Sequence, residues 1–209
     1  MQRTDNHPAS YYVATAKEMA DYPELEGDER ADVCVIGGGF TGVSAALNLA
    51  DKGFDVVLLE AERVGFGASG RCGGLIGSGQ RKDVLEMEHL YGLERSRVLW
   101  DFAEAAKEEI RSRVKKHDIH CDLQKGQLVG VHKRSYCDWP EELAKALAER
   151  YDYPHCRALD ATEAQEMVAT PTFLGGLWDA EAMVLHPLNY VLGLARAASE
   201  AGVRIYENS

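Results

Sequence analysis

No stretch of the 209 residues approaches the roughly 18 consecutive apolar residues that a membrane-spanning helix needs. The first twenty residues, Met1 to Ala20, lack the apolar segment that marks a secretory signal. Paired Cys-x-x-Cys spacings are missing as well. The five cysteines (Cys34, Cys72, Cys121, Cys137 and Cys156) stand apart and are odd in number. That speaks against a disulfide framework or a zinc ribbon, and the expectation is a cytoplasmic chain with reduced thiols. Proline is scarce, 6 against 20 glycines, which excludes Pro-rich disorder and collagen-like character. Positive charge is also short: 23 Lys and Arg face 34 Asp and Glu, a formal net charge of −11. A surface of that sign argues against nucleic acid or an anionic membrane as a general partner. What is present is ordinary for a globular protein, with 45% hydrophobic and 27% charged residues. The length suits one domain, or one and a fraction, with a real core.

Residues 1–30 are polar and irregular and read as a surface arm, interrupted by Ser10-Tyr11-Tyr12. Val33-Cys34-Val35-Ile36 is then a short β-branched run that predicts a buried parallel strand. Val43, Ala46, Leu47 and Ala50 follow at helical spacing, Gly53 stands at a helix C-cap position, and Val56-Val57-Leu58-Leu59 predicts a second buried strand. Together they make one β-α-β unit from Asp32 to Glu60. Further on, an apolar stripe from Val98 to Val114 predicts a long helix. Gln127–Val131 reads as a strand paired with a short one near Asp122-Leu123. Helices are expected at Pro140–Ala148, Ala161–Val168 and from Pro187, and strands at Leu174–Trp178 and Val203–Tyr206. The last is a third parallel-type strand with nothing seen beside it.

Gly37-x-Gly39-x-x-Gly42 carries the strongest chemical signal. It follows a predicted strand, opens a predicted helix, and is followed by Glu60 at the end of the second strand. Gly37 permits a tight turn, Gly39 has no Cβ to block a pyrophosphate, and Gly42 lets the helix pack on the sheet. The helix start, with Phe40 and Thr41, offers N–H groups and a positive dipole end to phosphates. Glu60 can accept hydrogen bonds from two ribose hydroxyls, which favours FAD or NAD over NADP. A second glycine-dense stretch, Gly67-Ala68-Ser69-Gly70-Arg71-Cys72-Gly73-Gly74, follows directly. Glycine in this density suits a backbone that a ligand must approach closely.

These two motifs together resemble the D-amino-acid-oxidase-like FAD-dependent oxidoreductases, in particular the branch that includes γ-glutamylputrescine oxidase. That branch shows Ala-Asp-Val-x-Val-Ile-Gly-Gly-Gly-Phe-Thr-Gly, as at Ala31 to Gly42, and Gly-Ala-Ser-Gly-Arg-Asn-Gly-Gly, as at Gly67 to Gly74 with Cys72 in place of Asn. Ser10-Tyr11-Tyr12 and the segment from His186-Pro187-Leu188 to Gly202-Val203 look like it too. The resemblance implies an α/β fold: a Rossmann-like parallel sheet for FAD or NAD(P), with a partial α+β substrate domain inserted. It implies a discontinuous, incomplete FAD domain over 31–120 and 186–209, and a partial substrate domain over 121–185. It also implies that Gly37, Gly39, Phe40, Thr41 and Gly42 hold the pyrophosphate. Glu60, Ala61 and Arg63 would serve the adenosine end, and Ser69, Gly70, Arg71, Gly73, Gly74 and Leu75 would line the cofactor towards the flavin. The activity it implies is hydride removal from the carbon next to the nitrogen of an amine or amino acid, with O2 as re-oxidant. It names no catalytic side chain, and members are much longer, so the chain looks like an N-terminal portion.

Two further readings stand beside this one. An NAD-binding dehydrogenase module agrees with Glu60 but leaves the second glycine motif without a purpose. A non-catalytic FAD-binding fragment would need a partner, a homo-oligomer or its missing C-terminal segment to complete the sheet. Weaker signals are read blandly. His117-Asp118-Ile119-His120-Cys121 is a polar helix end and not a metal cluster, so no metal is expected. Cys72 is expected to be a buried small residue, with a redox role beside Arg71 as the alternative. Glu86, Glu88, Glu104, Glu108 and Glu109 are expected on solvated helix faces.

Overall fold

The computed structural model describes residues 7–17 and 19–209; residues 1–6 and Glu18 of the predicted arm lie outside the described residues. The elements in chain order are α1 (Tyr11–Ala14), β1 (Val33–Ile36), α2 (Phe40–Asp51), β2 (Val56–Leu59), β3 (Leu75–Ile76), α3 (Val84–Tyr91) and α4 (Leu93–Lys116). They continue with β4 (Gln124–Val131), α5 (Trp139–Arg150), β5 (Cys156–Leu159), α6 (Ala161–Val168), β6 (Gly175–Val184), α7 (Pro187–Glu200) and β7 (Arg204–Tyr206). Two compact units divide the chain: Met1–Gly74 with Arg111–Leu123 and Leu185–Ser209, and Leu75–Ile110 with Gln124–Val184. The stretch from Leu75 to Ile110, expected with the first of these, therefore packs with the second. Its own contacts explain this: β3 pairs with β6, and α3 packs on α5.

The first unit is built on the predicted β-α-β start. β1 and β2 pair in parallel, Val33 opposite Val56, and β7 pairs in parallel with the other edge of β2, Leu58 opposite Ile205. The strand expected to stand alone is thus a neighbour of β2, and the order is β1-β2-β7. α2 and α7 pack on one another and interlock with this sheet. Their apolar stripes bury Val43, Ala46 and Leu47 from one helix and Leu188, Val191, Leu194 and Ala195 from the other, each at 1% exposure or less. Each such Val or Leu contributes about 1.5–3 kcal/mol by leaving water. β1 itself departs from the expectation of a buried strand: Cys34 is exposed and Ile36 is 85% exposed. Among the described residues, only one edge of β1 is hydrogen-bonded, and its alternate side chains have no covering layer.

The arm is tied down at several points and is not a loose surface segment. Ser10 caps α1, its Oγ accepting from Val13 N at 3.2 Å. Tyr12 stacks edge-on against His186 at 5.0 Å, while Tyr11 stays 73% exposed. Glu207 N donates to the Pro23 carbonyl at 3.0 Å, and Lys17 N donates to Asn189 Oδ1 at 3.0 Å. His186 joins two of these features. Its Nδ1 accepts from Asn189 N at 3.1 Å, which caps α7, and its Nε2 lies 3.0 Å from Thr15 Oγ1. Thr15 Oγ1 donates to the Tyr11 carbonyl at 2.8 Å, so it is free to accept from the Nε2–H tautomer.

That arrangement predicts a pH dependence of stability. Burial lowers the His186 pKa from the ordinary 6.5, and burial likewise lowers those of His7 and His117. The folded state keeps these rings neutral while the unfolded chain protonates them near 6.5, so their stability is present above that pH and lost as pH falls below it. A protonated His186 could no longer accept at Nδ1. The urea midpoint is expected to be flat from pH 7 to 8 and to fall between pH 6.5 and 5. His186→Asn, which retains a capping acceptor, should reduce that slope.

The second unit is an antiparallel sheet with helices. β6 is flanked on one edge by β4 and on the other by β5 and then β3. The predicted pairing of Gln127–Val131 with Asp122-Leu123 does not occur. β4 begins at Gln124 and finds its partner in β6, Leu128 opposite Trp178, with a shift of register at Gly126. Trp100, Leu143, Leu147, Tyr151, Tyr153 and Leu177 form the apolar centre. Two carboxylates expected in solvent are engaged here instead. Glu88 accepts from the Tyr151 hydroxyl at 2.9 Å and pairs with Arg150. Glu104 pairs with the 5%-exposed Lys107 at 2.6 Å and accepts from Gly79 N at 3.2 Å. The Lys107 ammonium also donates to Ser78 Oγ at 2.7 Å and to the Tyr153 hydroxyl at 3.1 Å, and the latter donates to Asp179 at 2.8 Å.

Candidate functional site

The first glycine motif turns the chain from β1 into α2. Gly37 takes φ +102°, a conformation side-chain-bearing residues avoid, and its N–H donates to the Leu59 carbonyl at 2.7 Å. A Cβ built on Gly37 would meet nothing within 4 Å, so the turn opens onto free space. Gly42 is the opposite case. A Cβ there would stand 1.9 Å from the Gly37 carbonyl oxygen and 3.4 Å from Val35 Cγ1, so the first turn of α2 rests directly on the loop and strand.

The start of any helix leaves its first N–H groups without intrahelical acceptors, here those of Gly39, Phe40, Thr41 and Gly42. The Phe40 N–H donates to Ser69 Oγ at 3.0 Å, so the second glycine motif caps the helix that the first one opens. The Phe40 ring turns away to pack on Tyr190, at 5.6 Å between centroids. No acidic side chain occupies the first turn of α2, which leaves its positive end available to an anion. Gly65 N donates to the Gly38 carbonyl at 2.9 Å and ties the turn ahead of the second motif to the first.

Glu60 stands at the end of β2 with both oxygens oriented by backbone. Oε2 accepts from Gly38 N at 2.6 Å, and Oε1 accepts from Glu62 N at 2.9 Å. A carboxylate has about four lone-pair sites, so two remain for further donors. Ala61 is exposed beside it. Arg63, expected at an adenosine wall, is engaged with the protein's own groups. Its guanidinium pairs with Asp21 and with Glu207, Nε to Oε2 at 3.0 Å, and donates to the Ala20 carbonyl at 3.1 Å. It clasps the arm to the chain after β7. Glu207 is 1% exposed and accepts from Val64 N at 2.7 Å; burial raises its carboxyl above the usual range.

The second motif continues from Gly67. Arg71 is exposed, its Nε donating to the Gly67 carbonyl at 3.2 Å and its guanidinium 5.9 Å from the Phe66 ring centre. Cys72 and Gly73 are exposed, whereas Gly70 and Gly74 are buried. The Gly74 carbonyl accepts from Leu185 N at 3.0 Å. Leu75, expected with this set, begins the second unit and pairs with Val184. Asp118 and His120 face one another at 3.5 Å on the surface. Among the described residues no three metal-ligating side chains converge.

The family profile of the FAD-dependent oxidoreductases (DAO) matches residues 32–209. The chain belongs to this family. Among FAD-dependent oxidoreductases it is 40% identical over 204 residues to gamma-glutamylputrescine oxidoreductase of Escherichia coli (strain K12), covering 97% of this chain and 47% of that protein. It is 38% identical to the probable oxidoreductase OrdL of Haemophilus influenzae, over 97% and 47% of the two. The chain thus spans about half the length of the curated relatives it matches. L-amino acid deaminase from Proteus myxofaciens shares the fold, with TM-score 0.71, 22% identity and coverage of 93% of this chain and 41% of that one. Glycine oxidase from Geobacillus kaustophilus does so with TM-score 0.63, 24% identity and coverage of 87% and 47%.

Residues 1–30 were expected as a surface arm, but nothing in the sequence marked its contacts with distant segments. His7 is 7% exposed, with its ring centre 6.2 Å from that of Phe66, and Glu207 closes the clasp with Arg63. Neither residue lies in a motif; each is placed by tertiary contacts with residues distant in the chain.

Proposed function

We propose that this chain holds FAD along the surface made by its two glycine motifs. In this reading it is the cofactor-binding part of an oxidoreductase acting on the C–N bond of an amine or amino acid, with O2 as re-oxidant. The first unit is the FAD-binding domain and the second a partial substrate domain. The observation that carries the reading is the start of α2. There, N–H groups face the open turn at Gly37, and Glu60 lies 2.6 Å from Gly38 N with acceptor sites to spare. Relatives named for gamma-glutamylputrescine, L-amino acids and glycine support an amine or amino-acid substrate.

In this reading Gly39, Thr41 and Gly42 present backbone N–H groups and the helix dipole to the pyrophosphate, while Gly37, whose N–H is held by the Leu59 carbonyl, keeps the turn open beside them. Phe40 contributes its backbone, already committed to Ser69. Glu60 accepts from the ribose hydroxyls. Ser69, Gly70, Arg71, Gly73 and Gly74 extend the surface beyond the pyrophosphate, with Arg71 as its cation. FAD, when bound, supplies the two-electron acceptor. The residues of this chain hold and orient it, and an amine that arrives neutral needs no protein base.

The test is a visible spectrum of the purified chain, before and after adding FAD and removing excess. A flavin band that co-elutes with the protein is expected. Glu60→Ala should weaken FAD binding about tenfold to a hundredfold, the loss of one or two hydrogen bonds to a charged acceptor. A folded chain that retains no FAD at any concentration would sink the reading.

A further inference from the structure

We infer that His7, carried by the N-terminal arm, is a further positioning residue for the dinucleotide, closing its adenosine end with a ring nitrogen hydrogen-bonded to the adenosine. The inference rests on the FAD reading above and extends it to a residue outside both glycine motifs.

The placement is specific. A histidine in a polar, irregular arm would ordinarily sit in water. Here it is 7% exposed, tilted 30° against Phe66. Phe66 belongs to the Gly65-Phe66-Gly67 turn that leads into the second glycine motif, and it also carries Arg71. Phe66 follows Gly65, whose N–H donates to the Gly38 carbonyl at 2.9 Å, and the Gly38 N–H in turn donates to Glu60 Oε2 at 2.6 Å. Glu60 marks the ribose end of the proposed cofactor surface, and the ring that His7 packs on stands in the turn hydrogen-bonded to that corner. Burial keeps the ring neutral, with one N–H donor and one acceptor. Arg63, the cation of that corner, is engaged with Asp21 and Glu207. The arm that carries His7 is anchored by the Thr15–His186, Lys17–Asn189 and Pro23–Glu207 contacts, so His7 is delivered by a fixed segment. A buried neutral ring beside an oriented carboxylate suits a nucleoside, which offers hydroxyl donors and ring-nitrogen acceptors together.

His7→Phe tests this, because it keeps a ring against Phe66 and removes both nitrogens. The measurements are dissociation constants for FAD and for ADP, and the melting temperature of the ligand-free chain. The expected result is a three- to tenfold loss of affinity for both ligands, the worth of about one hydrogen bond, with the ligand-free melting temperature unchanged. His7→Gln, which restores polar atoms, should recover part of the loss. Unchanged affinity in His7→Phe overturns the inference and leaves the FAD reading standing. A lower melting temperature in proportion to the lost affinity also overturns it, since His7 would then be structural. If the native chain itself binds neither ADP nor FAD, the FAD reading fails and the role of His7 falls with it.

Discussion

Gly42→Ala is expected to abolish FAD retention and to destabilise the chain by several kcal/mol. The added methyl would be placed 1.9 Å from the Gly37 carbonyl oxygen and 3.1 Å from its carbonyl carbon. Those are backbone atoms, in a turn pinned by the Gly37 N–H to the Leu59 carbonyl. No rotamer change relieves the contact, so α2 must lift from β1 by more than an ångström, or the turn must change shape. Ordinary overpacking costs about 1–3 kcal/mol, and a rigid backbone neighbour puts this case at or above the upper end. Either relaxation moves the helix N–H groups that the cofactor reading requires. The measurements are urea unfolding and flavin retention. Gly67→Ala is the control for folding, because its Cβ meets nothing within 4 Å and its φ of −77° suits any residue. A Gly42→Ala chain that stayed yellow with an unchanged unfolding midpoint would contradict the close contact.

Lys107→Met should cost about 3–5 kcal/mol, the usual penalty for removing one partner of a buried ion pair. The ammonium is 5% exposed and binds Glu104, Ser78 and Tyr153 at once. Its loss strands the Glu104 carboxylate, 22% exposed, and breaks a chain that runs through Tyr153 to Asp179. Neither Tyr153 nor Cys156 can supply a cation in its place: both are acids that burial keeps in the neutral form, the Cys156 thiol pushed up to about 12. Adding Glu104→Gln to Lys107→Met should recover part of the loss, because the stranded charge is then gone. Unfolding monitored at Trp100 and Trp178, both in this unit, reports the change. Equal stability of the native chain and Lys107→Met would show that the network is solvated.

The β-α-β start was legible because each of its signals is local. A β-branched run, a glycine turn, a 3.6-residue stripe and a second run fall within about 30 residues, the span of one such unit, and α2 begins at Phe40, just ahead of its first predicted apolar position at Val43. The glycine motifs and Glu60 were legible for the same reason. What escaped was decided at long range. β5 has no alternating pattern and exists because β6 offers it an edge. α3 carries a usable signal, Asp83 capping Glu86 N at 2.9 Å, but its eight residues hold too little of a stripe to stand out. Glu104 was expected on a solvated helix face, and Lys107 and Glu207 lie in no motif. They are partly or fully buried because partners from other segments satisfy them. Arg63 was expected beside a ligand for its position after β2, and it turned instead to Glu207, a residue at the far end of the chain.

The topology of the parallel sheet also dictates an order of assembly. β2, at its centre, pairs with β1 across a helix but with β7 only after the entire second unit has been made, Val57 opposite Arg204. Closing a loop on the order of 150 residues costs entropy that grows only slowly with length, but it cannot begin until both ends exist. On the ribosome, the second unit can gather its own strands while one edge of β2 waits unpaired. During that interval Val56, Val57 and Leu58, later 4% exposed or less, are held apart from β7. Throughout that window the edge of β2 that will receive β7 offers its N–H and C=O groups to any other strand, which is where mispairing of this sheet would begin.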